Sequence, residues 1–236
     1  MFFNGAWVEA GEGGTREILN PASNEPLALV TDGSELDAEH AIAHARRAFD
    51  TGPWPKMRAP ERASYLFKLA ELIDSKADAL AELETRNNGK PLREAKFDVA
   101  DAAACFRYYA GLITKPLGQT YEVGDPTIQA LVVREPIGVC GQIIPWNYPL
   151  LMAAWKLAPG LAAGNCCILK PAEATPLTAI ELFKLIAEAG FPPWRNLSWH
   201  GLCGHARSGP EQSPHGPPKP DQSIVQLRNY CRGVPR

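Results

Sequence analysis

The spacing of apolar positions changes several times along the chain, and each change predicts an element. Residues 1–31 read as short strands joined by turns: "AWVEA" alternates apolar and polar, "GEGG" is a turn, and "NPASNEPLALV" sets a Pro/Asn turn before another apolar strand. From Ser34 the spacing becomes helical. Ser34 with Asp37 three residues on is a capping signature, and Leu36, Ile42, Ala45 and Phe49 share one face until "TGPWP" ends the helix. A second helix is predicted over 61–88, with Leu66, Leu69, Leu72, Ile73, Leu80 and Leu83 as its apolar stripe and Gly89 as its stop. Pro91 opens a third, whose stripe is Phe97, Ala100, Ala104, Tyr108 and Leu112. "TIQALVVREP" (127–136) reads as a strand.

From there strands and helices alternate. "IGVCGQII" is strand-like, 149–163 is helix-like with Gly164 as its stop, and "CCILK" is a short buried strand. "TPLTAIELFKLIAEAG" is a helix with Thr175 as cap, Pro176 at the first position and Gly190 at the end. Strand, helix, strand, helix with short connections predicts parallel βαβα in an open sheet. Function in such sheets collects at the carboxyl ends of the strands, where Asn147 and the segment Lys170–Glu173 fall. After Pro193 the pattern lapses. Residues 191–236 hold eight prolines and six of Ile, Leu or Val, a composition expected to order poorly. A βαβα run would next want a β-branched strand, and "WRNLSWHGLC" does not offer one.

Composition narrows the function classes. The chain has 236 residues, 45% hydrophobic and 21% charged, with a net charge of -2. No basic surplus exists for a phosphate backbone, so nucleic acid is not an expected partner. No apolar run reaches the roughly 18 residues of a membrane span, since Lys156 interrupts 149–163. The N-terminus has no basic n-region or signal-peptide core, and a cytoplasmic protein is expected. None of the six cysteines forms a C-x-x-C pair, which favours reduced thiols, mostly in the core.

Candidate chemistry is sparse at the level of single residues. There is no G-x-G-x-x-G and no P-loop. Lys170 at a strand end can donate to ribose hydroxyls and Glu173 can accept from them, and the same pair also suits a solvated loop. Asn147 offers two amide donors, either to an oxyanion or as the cap of the following helix. Lys156 is a surface lysine that snorkels or a charge that tunes a nearby site. His200, Cys203 and His205 cluster in "WHGLCGH", but no partner pair follows, so no metal site is expected.

Taken together, "IIPWNYPLLMAAWKLAPGLAAGNCCILKPAEATPL" resembles the aldehyde dehydrogenase superfamily, nearest its betaine- and amino-aldehyde-oxidising members. "FFNGAW", "LETRNNGKPLREA", "YYAG" and "REPIGVCGQIIPWNYP" extend the likeness over residues 1 to about 193. The resemblance implies an α/β fold: the family's N-terminal region, with a partial open parallel sheet of Rossmann-like βαβα type, flanking helices, and truncation. It divides the chain into N-terminal strands and helices of the cofactor domain (1–135), a partial NAD-binding βαβα unit (136–193) and a tail outside the family pattern (194–236). It implies oxidation of an aldehyde to a carboxylic acid with NAD. Asn147 would hold the oxyanion of a thiohemiacetal and Lys156 would relay charge. Lys170 and Glu173 would grip the adenine ribose, and Ile144, Pro145, Trp146 and Ala172 would line the cofactor. A carboxylate at 173 repels a ribose 2′-phosphate, which favours NAD over NADP.

The family's nucleophile and base lie beyond the helix ending at Gly190, and neither Cys203 nor Cys231 has the matching surroundings. The expectation is a chain that is inactive alone. The alternatives are a non-catalytic partner of a full-length aldehyde dehydrogenase, and a truncated product without a role.

Overall fold

The computed structural model describes residues 14–115 and 118–192, and the backbone of three short strands outside them: β1 (Phe2–Phe3), β2 (Ala6–Trp7) and β9 (Leu197–Trp199). The centre is a pair of parallel strands, β7 (Val139–Ile143) and β8 (Cys166–Lys170), in register from Val139↔Cys166 to Ile143↔Lys170. β9 continues the parallel run beside β8, and β1 and β2 close that side antiparallel, giving the order β2-β1-β9-β8-β7.

All five residues of β8 are buried, because helices cover both faces. Cys166 and Ile168 turn toward α1 (Glu35–Thr51), packing with Ala38, Ala41, Ile42 and Ala45. Cys167 and Leu169 turn the other way, into the larger core built by α2 (Ala59–Ser75), α3 (Ala77–Asn88), α4 (Leu92–Leu112), α5 (Pro149–Ala162) and α6 (Leu177–Ala189). The period-two alternation of a strand thus feeds two cores at once. The Ser34–Asp37 capping box forms as expected, with Asp37 reaching back to the Ser34 backbone.

Gly160 sets how closely α5 lies on the sheet. A Cβ there would stand 2.8 Å from Cys167 Sγ and 2.9 Å from Gln142 Nε2. Gln142, buried, donates from that same nitrogen to the Lys156 carbonyl at 2.8 Å, tying β7 to α5. At the opposite edge, Asn165 Oδ1 accepts from the Gly138 N–H at 3.0 Å, joining the strand starts.

Several expectations are corrected. The helix predicted over 61–88 is two helices, because the backbone leaves helical geometry at Lys76 (φ -114°, ψ 19°). Beyond that break Leu83 is only half-buried, and Glu84 takes the buried position. The stripe assigned to α4 is its outer face: Phe97 and Tyr108 are 62% and 63% exposed, and Ala100 and Ala104 are exposed. The buried face is Ala95, Val99, Ala102, Ala103, Phe106 and Ala110. Small side chains allow close helix approach, and alanine carries too little apolar weight to announce such a face. Only Ala130–Val132 (β6) of the strand predicted over 127–136 is extended, in a hairpin with β5 (Gln119–Tyr121). The remaining hairpin joins β3 (Thr15–Leu19) to β4 (Pro26–Thr31) through the expected Pro/Asn turn; β4 is the strand expected after it, and Thr15–Leu19 is an addition.

Thr175 does not cap α6. The N-cap position is Pro176 without a side-chain bond, and the buried Thr175 hydroxyl has no partner among the described residues. The "WRNLSWHGLC" segment does supply a strand: Leu197–Trp199 pairs with Cys167–Leu169. Backbone groups on the open side of β8 select a strand there without β-branched side chains. His200, Cys203, His205 and Cys231 lie outside the described residues. Among the described residues no helix is long and apolar enough to cross a membrane.

Between α3, α4 and α5 the core holds charge. Lys90 pairs with Asp98 and lies 3.7 Å from Glu84, whose other oxygen accepts from Thr178 Oγ1 at 2.6 Å. Burial pushes the Glu84 carboxyl above its usual range, outweighing the hydrogen bond from Thr178 and the charge of Lys90. A raised folded-state pKa means that the folded chain holds this proton more tightly than the unfolded chain. This contribution is full below the unfolded carboxyl pKa and is lost as pH rises through the folded value. In urea unfolding, Glu84→Gln is therefore expected to gain on the wild type as pH rises from about 4 to about 7. A difference that is flat or of opposite slope would refute it. Gly160→Ala is expected to lose stability despite its better helix propensity. Overpacking costs about 1–3 kcal/mol against about 1 kcal/mol gained, read as a lower urea midpoint.

Candidate functional site

β7 and β8 end level with each other. Ile143 is the register partner of Lys170, and the Ile144 N–H donates to the Lys170 carbonyl at 3.0 Å. The segments that follow, 145–148 and 171–176, therefore leave one edge of the sheet side by side. Ile144 is buried, whereas Pro145, Trp146, Asn147 and Tyr148 are exposed, Trp146 by 65%. An indole this exposed at a strand end offers a flat apolar wall.

α5 begins at Pro149, where the missing N–H costs nothing, and its N-cap position is Tyr148 with no side-chain cap. Asn147 is thus not the cap that its position suggested. Its amide is exposed at the carboxyl edge, with two donors for a ligand.

Lys170 is 8% exposed and makes an ion pair with Glu173, whose side chain is one-third exposed. Pro171 is buried between them and Ala172 half-buried, so the turn is held from beneath. An ammonium with three donors beside a carboxylate with only acceptors matches a vicinal diol, in which each hydroxyl both donates and accepts. Lys156 is placed elsewhere. It lies half-buried on α5, about 10 Å along the axis from the helix start. Asn147 and the Lys170–Glu173 pair share an edge, and Lys156 stands back from it.

The described thiols do not gather at this edge. Burial pushes the Cys105 thiol up to about 11 and that of Cys166 to about 12. Cys140 and Cys167 are register partners on β7 and β8 and share a hydrogen bond, which lowers Cys140. The same bond, with full burial, raises Cys167. Sequence reasoning gave no role to Gln142, or to Glu84, Asn87 and Asn88. The available signal was the polar end of an otherwise amphipathic helix, "ETRNNGK".

An open α/β sheet with its polar groups at the carboxyl edge belongs to the class that takes ligands outside the strand ends. Comparison with known proteins is more specific. Residues 7–194 match the model of the aldehyde dehydrogenase family, and the chain belongs to that family. It is 50% identical over 192 residues to the betaine aldehyde dehydrogenase of Bacillus subtilis (strain 168), covering 81% of this chain and 39% of that protein. It is 45% identical over 192 residues to an aldehyde dehydrogenase of Emericella nidulans, covering 81% and 38%. Among solved structures it is similar to a double mutant of Staphylococcus aureus betaine aldehyde dehydrogenase in complex with NAD+. The TM-score is 0.83 at 42% identity, covering 86% of this chain and 41% of that one. The chain spans about two fifths of the length of these relatives.

The thiol environments give an ordered reactivity. With iodoacetamide at about pH 8, Cys140 is expected to be alkylated ahead of Cys105, Cys166 and Cys167 in the native chain. Peptide mass spectrometry reads the order, and earlier modification of Cys166 or Cys167 would contradict it.

Proposed function

We propose that this chain forms the adenosine-binding side of an aldehyde dehydrogenase cofactor domain. The observation that carries the reading is the level, in-register ending of β7 and β8, which sets Asn147 and the Lys170–Glu173 pair on one edge. In this reading Lys170 donates to the adenine ribose of NAD and Glu173 accepts from it. Ile144, Pro145, Trp146 and Ala172 form the wall along the dinucleotide. Residues 136–193 are the binding unit, 1–135 its supporting strands and helices, and 194–236 a tail outside the family pattern.

Asn147 is the amide donor to the oxyanion that forms when an aldehyde is attacked, a contribution of about 10²–10³ in rate where such donors have been removed. Lys156 acts at longer range, as a charge that tunes the site. The whole enzyme oxidises an aldehyde to an acid with NAD, and the betaine aldehyde dehydrogenases among its relatives make betaine aldehyde the first substrate to test. The 236-residue chain by itself binds without oxidising. Among the described cysteines, Cys105, Cys166 and Cys167 are held protonated by their surroundings, and Cys140 sits inside β7 rather than at its end.

Titration calorimetry tests the cofactor reading. NAD is expected to bind, NADP about tenfold or more weakly, because the Glu173 carboxylate opposes a 2′-phosphate. Lys170→Met is expected to weaken NAD about tenfold, and Glu173→Gln to narrow the gap between the cofactors. Equal binding of both cofactors by the wild type removes the preference, and no binding removes the reading. NADH formed from betaine aldehyde by the purified chain would overturn the proposal that it is inactive alone.

Exposed apolar surface favours a second reading, a non-catalytic partner of a full-length aldehyde dehydrogenase. Val133 and Ile137, between β6 and β7, are 69% and 85% exposed, and β7 is the last strand of the described sheet. Co-purification with such a relative supports it, and a monodisperse monomer that ignores the relative opposes it.

A further inference from the structure

The carboxyl end of α3 reaches both strand-end loops, and it does so through side chains that the proposed chemistry leaves without a role. Asn88 Nδ2 donates to the Trp146 carbonyl at 2.6 Å, on one side of Asn147. On the other side, the Lys90 ammonium lies 4.4 Å from the centroid of the Tyr148 ring. Glu84 Oε1 accepts from the Leu150 N–H at 3.4 Å, at the start of α5. These three contacts bracket Asn147 without touching its amide.

The second loop is held by the same helix end. Asn87 Nδ2 donates to the Ala174 carbonyl at 2.9 Å, and Asn87 Oδ1 accepts from the Leu177 N–H at 3.1 Å. Glu84 reaches this loop too, through Thr178 Oγ1 at 2.6 Å. Glu84 and Asn87 are buried, so these bonds form where water does not compete. Gly89 lets Lys90 turn back beneath Tyr148. It takes φ +88°, and a Cβ there would stand 2.9 Å from Pro21 Cγ.

We propose that Glu84, Asn87, Asn88 and Lys90 are positioning residues: a clamp that fixes the loop carrying Asn147 and the loop carrying Glu173 relative to each other. The proposal rests on the dinucleotide reading of those loops and adds what holds them in place. Beyond the bond from Ile144 to Lys170, the two loops leave the strand pairing and are no longer bound to each other by it. A site made from two such loops loses affinity if either must be ordered on binding, and a clamp removes that cost in advance.

The amides allow each half to be loosened separately. Asn88→Ala deletes one bond from a half-buried position, so the fold is expected to survive. Asn87→Ala frees the second loop, and Asn87→Asp keeps the acceptor for the Leu177 N–H while losing the donor to Ala174. Hydrogen–deuterium exchange over 144–150 and 173–178, with NAD titration on the full chain, reads the result. Asn88→Ala is expected to speed exchange over 144–150 by about tenfold, leave 173–178 and α2 unchanged, and weaken NAD about three- to tenfold. Asn87→Ala is expected to do the same for 173–178, and Asn87→Asp to restore protection at Leu177.

Unchanged exchange over 144–150 in Asn88→Ala overturns the clamp, as does exchange that rises equally throughout the chain. So does an Asn88→Ala chain that exchanges faster locally yet binds NAD as tightly as the wild type. A wild type that does not bind NAD defeats the dinucleotide reading on its own, and the local exchange pattern still decides whether the clamp exists.

Discussion

The parallel pairing of β7 with β8 is the constraint on which the rest depends. Their register brings Ile143 beside Lys170, so two chain segments separated by a whole helix leave the sheet at one height. Everything polar at the candidate site follows from that level ending. A slip of one residue would reverse the facing of β8. Cys167 and Leu169 would then lie against α1, and Cys166 and Ile168 under the helical layer. The exchange would repack two cores at once, because the residues of β8 are buried on both sides, and it would take Lys170 from its place opposite Ile143.

The helical layer keeps the pairing in place by close approach as well as by bulk. Gly160 brings α5 onto Cys167 and Gln142, and the alanines of α4 bring that helix against its neighbours. Inside the layer lie the charges of Glu84, Lys90 and Asp98, each with a partner. A buried ion pair adds little net stability, but removing one member leaves an uncompensated charge at a cost of about 3–5 kcal/mol, which holds the arrangement in place. Here that arrangement also aims the end of α3 at the two loops.

Much of this was legible in the residues, and the exceptions have physical causes. The Ser34–Asp37 box, the glycine stops at 89 and 190, and the βαβα alternation from 139 to 189 were readable because capping and periodicity are local properties. The face of α4 was misread because large residues dominate a hydrophobic pattern, while the packing there uses small ones. The break at Lys76 left no mark, since no glycine or proline signals it. The strand at Leu197–Trp199 depends on a neighbour's hydrogen-bonding edge rather than its own side chains. At the candidate site, Asn147, Lys170 and Glu173 could be picked out by their place at or just after strand ends. The reach of Asn87 and Asn88 could not, because their partners lie 87, 90 and 58 residues away and are backbone atoms, which leave no trace in residue identity.

The interruption at Lys76 has a further meaning for how this region can change over generations. Within one continuous helix, gaining or losing a residue turns everything downstream by about 100°. A non-helical joint absorbs such a change. α2, whose Leu66, Leu69 and Ile73 are buried in the main core, keeps its own phase, and that of α3 starts afresh at Ala77. The joint therefore works as a phase reset, setting the rotation of the amides near the carboxyl edge independently of α2.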